Sequence, residues 1–222
     1  LIMDFFPVEQ VTDASLRGEM LQHRKDERKH AGLFLRSIKR IGGRDLDLSY
    51  GYTLNNAVLQ KGLPYGPRPL AADGEGAIQL AHFLAHMYVV ERRGLGSFRF
   101  QADACRQYGL RDIADDIEVV IADEEKHVKY TSEAVINLLG RIKGEQFLKW
   151  SVDLESYAHR AYARWLLEEL LRQRPDHPSR AWRAFYRLCI KFLEFHDKLL
   201  PDRPRGANPI LGLRCATPPG SN

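Results

Sequence analysis

The amino-acid sequence predicts an all-α fold. Five long stretches carry apolar residues at helical spacing, most end at a recognisable stop, and almost nothing alternates with the two-residue period of a strand. The chain has 222 residues, of which 44% are hydrophobic, so it can bury one substantial core. We therefore expect a single main domain over residues 1–200, followed by an irregular tail rich in Pro and Gly over 201–222.

The predicted helices, in chain order, span residues 13–42, 74–109, 111–140, 145–173 and 179–200. Asp13 is a residue type that caps helix N-termini, and glycines mark the ends of the first three helices. The core bundle would cover residues 13–140, with the two C-terminal helices added to it. The connection 44–73 is rich in Gly, Pro and Tyr, and its length suits a crossover that runs along a bundle.

Composition excludes several classes of protein. Cys105, Cys189 and Cys215 are odd in number, far apart and without CxxC spacing, which argues against a disulfide scaffold or a zinc–cysteine site and favours the cytoplasm. No apolar run approaches the roughly 20 residues that span a bilayer, so no membrane partner is expected. The net charge of +4 comes from dispersed arginines without a basic block, so nucleic acid is not an expected partner.

Two copies of one five-residue motif carry the chemical information. Residues 26–30 and 123–127 both read D-E-x-K-H, and each copy lies mid-helix on an apolar face. A Glu and a His three residues apart share a helix face, so both can reach one metal ion. A single Glu-x-x-His carries little weight, because a chain of this composition would hold about half of one by chance. Two copies of the longer motif favour a metal site.

The predicted inward faces hold three carboxylates and two imidazoles, which belong to Glu27, Glu91, Glu124, His30 and His127. A buried carboxylate without a partner is strongly unfavourable, so these groups need a counter-charge. One alternative is that they pair with buried Arg or Lys while the histidines are ordinary core residues. Because the inward faces carry no Arg or Lys, we favour a pair of metal ions.

This arrangement resembles the ferritin-like di-iron carboxylate proteins, which include monooxygenase hydroxylases, ribonucleotide reductase small subunits and rubrerythrins. Their pattern is a Glu on helix one, Glu-x-x-His on helix two, a Glu on helix three and Glu-x-x-His on helix four, with a long crossover in the middle. Glu27–His30 matches helix two, Glu91 matches helix three, and Glu124–His127 matches helix four. The resemblance implies a four-helix bundle that binds two iron ions, with manganese as the alternative metal.

The resemblance also implies roles for neighbouring residues. Asp26 and Asp123 are similar to the aspartates that hold a ligand histidine in one tautomer, although surface charge is an equal alternative. Tyr88, one turn from Glu91, is a candidate neighbour of the metals, but a packed aromatic is the commoner role. His23 would be an extra ligand in a nitrogen-rich variant, but we prefer to interpret it as a core or channel histidine.

The family pattern is incomplete in this sequence. Glu91 precedes Glu124 by 33 residues, and the same spacing before Glu27 falls ahead of residue 1. We therefore expect either that the helix-one Glu has been truncated away, which we favour, or that Asp4 or Glu9 replaces it.

Two further pairs, His82 with His86 and Glu155 with His159, have the four-residue spacing of a second metal site. Neither pair lies cleanly on the periodic apolar faces, so we interpret both as solvated.

The family resemblance implies an oxidoreductase that activates dioxygen, as an oxygenase or oxidase, and hydroxylates or oxidises a small organic substrate. A separate electron-donor protein would supply reducing equivalents. The alternatives are a tRNA-modifying di-iron hydroxylase and a non-catalytic iron-binding or scaffold protein of the same fold. A homodimer stays open, and the sequence identifies neither the substrate nor the electron donor.

Overall fold

The structure, a computed structural model, describes residues 3, 6–43, 74–173, 180–199 and 210. Its helices are α1 Ala14–Arg40, α2 Gly74–Gln107, α3 Arg111–Leu139, α4 Arg141–Gln173 and α5 Arg180–Leu199, preceded by a short 3-10 turn, Val8–Gln10. These described parts of the chain contain no strand, so the predicted all-α class is confirmed. The predicted crossover 44–73 and most of the tail 201–222 lie outside the described residues.

The helix ends follow the capping residues in the sequence. The Asp13 side chain accepts a hydrogen bond from the backbone N–H of Leu16 at 3.0 Å, which confirms the predicted N-cap. The glycines that follow the first three helices, Gly42, Gly109 and Gly140, adopt positive φ angles. The predicted start of the fourth helix near residue 145 is wrong, because α4 begins directly after Gly140.

Gly144, in the first turn of α4, allows this helix to approach α3 closely. A Cβ atom on Gly144 would lie 2.7 Å from the Cα atom of Ile136. We expect Gly144→Ala to lower the free energy of unfolding by about 1–3 kcal/mol, because the backbones would have to separate. Gly18→Ala on α1 is the control, since nothing lies within 4 Å of its added Cβ. It should stabilise by about 0.5–1 kcal/mol, and equal urea midpoints for the two variants would contradict this prediction.

Helix α3 is central, because it packs against α1, α2 and α4, while α5 packs against α4. Two apolar clusters lie at different levels of the α1–α3 unit. The main cluster combines the N-terminal segment with residues of α1, α2, α3 and α4, including Phe6, Met20, Phe83, Val135 and Phe147, and Ile210 from the tail is buried in it. The second cluster is built from α2 and α3, with Phe34 of α1 packed against it, and includes Ala102, Ile113, Ile117 and Ile121.

The polar residues of the two D-E-x-K-H motifs lie between these clusters. Along α1 the order is Met20, then the first motif, then Phe34, and along α3 it is Ile121, then the second motif, then Ala134. Apolar packing on both sides therefore limits the access of water to the motifs. Among the described helices, none combines the length and low polarity needed to cross a membrane.

Candidate metal centre

Five potential metal ligands converge from three helices. His23 and Glu27 come from α1, Glu91 from α2, and Glu124 and His127 from α3. Each offers one nitrogen or oxygen atom, and these atoms all lie within 4.8 Å of one another. All five are buried except Glu27, which is partly exposed. Converging carboxylates and imidazoles at this separation form a group that can hold a metal ion.

His30 lies beside this group and contacts it through the two motif glutamates. Its Nδ1 atom is 3.3 Å from Oε1 of Glu124 and 3.5 Å from Oε1 of Glu27. On the other side, Oε2 of Glu124 is 2.7 Å from Nδ1 of His127. The carboxylate of Glu124 is therefore placed between two imidazoles that come from different helices.

The two motifs contact each other reciprocally through their aspartates. Oδ2 of Asp123 lies 3.2 Å from Nε2 of His30, and Oδ2 of Asp26 lies 3.4 Å from Nε2 of His127. Lys29 joins the pairs, because its ammonium group contacts the carboxylates of both aspartates. A carboxylate at Nε2 favours the proton on that nitrogen, which leaves the Nδ1 lone pair of each histidine facing the glutamates. The aspartates are buried and interact with the candidate ligands.

His23 belongs to the ligand group, although the sequence interpretation preferred a core or channel histidine. Its Nε2 atom is 3.3 Å from Oε1 of Glu91, and its ring stacks on His127 with a centroid separation of 3.6 Å. The Tyr130 hydroxyl lies 2.7 Å from Nδ1 of His23. Tyr88 instead packs against the main apolar cluster. The position of Tyr130, one helical turn after His127, was the signal in the sequence that could have indicated its role.

The cluster strongly perturbs the ionisation of its members. Burial raises the pKa of Glu91 well above its usual range, and the charges of Glu124 and Glu27 raise it further. Burial opposes charge on Glu124 as well, but contacts with His127 and His30 hold its pKa at about 2. For His30, burial lowers the pKa, yet the adjacent carboxylates outweigh it and raise the pKa to about 10. Protons thus concentrate where negative charge is crowded, and a bound cation would displace them.

Two nitrogen atoms in the cluster provide a test of whether a metal ion fits. Nε2 of His23 and Nδ1 of His30 are buried, and neither makes a hydrogen bond of good geometry within the described residues, although each lies 3.3 Å from a carboxylate oxygen. Buried polar atoms are normally paired, because losing water without a replacement is costly. Burial lowers the pKa of His23 to about 3, so its imidazole is neutral and its lone pair is open to a metal. The donor set therefore fits a metal ion.

The suggestion that Glu9 replaces the missing helix-one ligand is wrong. Its side chain is 67% exposed and pairs with Arg24 at 2.8 Å, away from the cluster. The carboxylate is therefore held at the surface by a neighbouring guanidinium. Asp4, the other suggested substitute, lies outside the described residues.

The interpretation of His82, His86 and Glu155 as solvated is also wrong. All three are buried in the region where α2 and α4 pack, although His159 is exposed as expected. Glu155 pairs with Arg93 at 3.2 Å, and His82 packs edge-on against Phe147. A cavity of about 300 Å³ adjoins this ion pair, lined by Val89, Arg92, Arg93, Val152, Glu155 and Ser156. The packing of α4 on α2 buries these residues, which the periodicity of one helix does not indicate.

Burial of His82 predicts an acid-sensitive contribution to stability. Desolvation lowers its pKa from 6.5 to about 4, so the unfolded state binds the proton more readily. The contribution of neutral His82 to the free energy of unfolding is fully present above pH 6.5. It is lost as the pH falls toward 4, and the loss is roughly 3 kcal/mol at most. We expect His82→Phe to reduce this loss, because a buried aromatic ring without a titrating nitrogen stays in place.

Thermal denaturation followed across this pH range checks the prediction, with His159→Phe at an exposed position of α4 as the control. The control should keep the acid sensitivity of the parent chain. An unchanged pH profile for His82→Phe would contradict the assignment of this contribution to His82.

The candidate centre thus unites both sequence motifs with Glu91 of α2 and adds His23, between two apolar clusters. All of the sequence-predicted ligands, Glu27, His30, Glu91, Glu124 and His127, lie in it or directly against it. Compared with known proteins, the chain matches no family model, no curated protein and no solved structure with significance.

Proposed function

We propose that this chain is a ferritin-like di-metal oxidoreductase that activates dioxygen to oxidise a small organic substrate. The observation that carries the proposal is the convergence of carboxylates and imidazole nitrogens on one buried point between α1, α2 and α3. In this proposal the three helices correspond to helices two, three and four of a ferritin-like bundle.

Glu27 and Glu124 would each hold metal together with neighbouring imidazoles, because each carboxylate faces a histidine on either side. Glu27 lies 3.8 Å from Nε2 of His23 and 3.5 Å from Nδ1 of His30. Glu91 would bind metal next to His23. His23 would add a nitrogen ligand to the site. Within the described residues, no carboxylate from a fourth helix joins the ligand group.

The chemistry of the donors favours iron or manganese. Oxygen and imidazole ligands suit these ions, and neither Cys105 nor Cys189 joins the ligand group. When bound, a pair of such ions supplies the capacity to reduce dioxygen. A separate electron-donor protein would supply the electrons.

The chain's own residues would orient the ligands and control water and protons. Asp26 and Asp123 would hold His127 and His30 with Nδ1 toward the centre, and Lys29 pairs with both aspartates. The Tyr130 hydroxyl holds Nδ1 of His23, which directs Nε2 of that ring to Glu91. The apolar clusters on both sides limit hydration, and this strengthens every electrostatic interaction inside.

Metal content and dioxygen uptake test the proposal. Metal-free protein is loaded anaerobically with ferrous iron, its bound iron is measured by elemental analysis, and dioxygen consumption is followed with an electrode after mixing with aerated buffer. We expect about two irons per chain and rapid dioxygen uptake. Bound iron without uptake beyond that of free iron would favour non-catalytic iron binding, and the absence of bound iron or manganese would favour a scaffold.

A further inference from the structure

Helix α5 presents a continuous apolar face to solvent. Phe185, Leu188, Phe192 and Phe195 are 50%, 67%, 64% and 59% exposed, respectively. Their three-and-four spacing places them in one row along the helix. A single exposed apolar residue needs no explanation, but four large ones on one face form a patch of the kind that marks an interaction surface. We call these four residues the α5 apolar row.

Cations border the α5 apolar row. Arg187 and Lys191 are exposed and directly precede Leu188 and Phe192 in sequence, so they lie along one edge of the row, where Lys191 also pairs with Glu194 at 2.9 Å. Over its length, α5 contains five Lys or Arg residues and only two acidic residues, Glu194 and Asp197. The opposite side of the helix turns toward the protein, where Ile190 is buried. The exposed surface of α5 therefore combines aromatic side chains with positive charge.

We propose that α5 binds the surface of an anionic lipid bilayer, with the α5 apolar row in the boundary between headgroups and acyl chains. Helices of this type lie in the plane of the membrane, with Phe and Leu inserted and Lys or Arg against the lipid phosphates. They do not cross the bilayer, because their polar and charged face stays in water. The proposal is independent of the metal centre.

Charge favours a lipid surface over a second copy of the chain. Antiparallel pairing of two α5 apolar rows would bring this edge of one copy beside the same edge of the other. The edge keeps a net positive charge when Glu194 is counted with Arg187 and Lys191, and juxtaposed like charges are unfavourable. A layer of anionic phosphates instead offers the opposite charge along the whole helix. The apolar row would be removed from water in both cases, so the cationic edge is the feature that distinguishes them.

Co-sedimentation of the full chain with vesicles tests this proposal. One set of vesicles is phosphatidylcholine alone, and the other contains phosphatidylglycerol as well. We expect binding to the anionic vesicles that weakens as salt is added. Phe192→Glu should weaken it by more than about tenfold, and Arg187→Gln by about fivefold.

Phe100→Glu is the matched control, because Phe100 is 76% exposed on α2, far from the α5 row in sequence. It should bind vesicles as the parent chain does. Circular dichroism checks that each variant is folded, which is expected since all the changed side chains are exposed or half-exposed. Failure of the parent chain to bind anionic vesicles would overturn the proposal, as would unchanged binding by Phe192→Glu. Dimers in sedimentation velocity that Phe192→Glu dissociates, without vesicle binding, would assign the row to self-association instead.

Discussion

Replacing Glu124 with Gln is expected to weaken metal binding by more than about a hundredfold. Its two carboxylate oxygens lie 2.7 Å from Nδ1 of His127 and 3.3 Å from Nδ1 of His30, so one side chain serves both halves of the centre. The neutral amide lacks the negative charge and one of the two oxygen atoms that the carboxylate offers to a cation. Isothermal titration calorimetry with ferrous or manganous ions under anaerobic conditions measures the change in affinity.

Glu125→Gln is the control for this experiment. Glu125 is the next residue on α3, but its side chain is 54% exposed and pairs with Arg99 at 2.6 Å. The substitution removes the same charge from an exposed side of the helix, so metal affinity should stay within about twofold of the parent value. Equal affinities for Glu124→Gln and the parent chain would show that Glu124 is not a metal ligand.

Asp123→Asn is expected to weaken metal binding by about 10–100-fold without removing a ligand. Asp123 lies 3.2 Å from Nε2 of His30 and contacts Lys29, which also pairs with Asp26. Burial opposes its charge, but hydrogen bonds from Lys29, Lys126 and His30 hold the pKa of Asp123 far below its usual value. An amide would orient His30 less firmly, so the ligand nitrogen would be less well positioned.

The pH dependence of metal-free protein gives a second readout for this variant. Because the pKa of Asp123 is lowered in the folded state, its stabilising contribution is present above pH 3.8 and is lost as the pH falls below that value. We expect the Asn variant to lose this part of the acid sensitivity in thermal denaturation.

Asp116→Asn provides the comparison on the same helix. Asp116 pairs with Arg40 of α1 at 3.1 Å, so this substitution also removes an ion pair between α1 and α3. Because the pair lies away from the ligands, metal affinity should not change. A similar loss of affinity in both variants would show that Asp123 acts through general helix packing and not through His30.

Much of the architecture could be predicted because its causes are local. Apolar spacing identified the five helices, and the Asp13 cap and the glycine stops placed most of their ends. The D-E-x-K-H repeats indicated that Glu27 and Glu124 would each share a helix face with a histidine. The predicted start of α4 was four residues too late. The single residue between α3 and α4, Gly140, is too short a connection to show as a change in composition.

Contacts between helices could not be derived in the same way. The sequence did not show that Asp26 would meet His127 while Asp123 meets His30, since that exchange depends on how α1 packs against α3. His23 showed the same limit, because its spacing allowed a ligand while the sequence favoured a core or channel histidine. Its role depends on Glu91, which approaches from α2.

The sequence by itself determined the helical class, most helix ends and the set of acidic and imidazole groups that need a counter-charge, because these follow from periodicity, caps and burial along single helices. Tertiary structure alone decided which groups converge. It placed Tyr130 beside His23 and packed Tyr88 against the main apolar cluster. It also paired Glu9 with Arg24 at the surface and buried His82 against Phe147. The physical reason is that helical spacing fixes which residues share a face, whereas packing between helices fixes what that face meets.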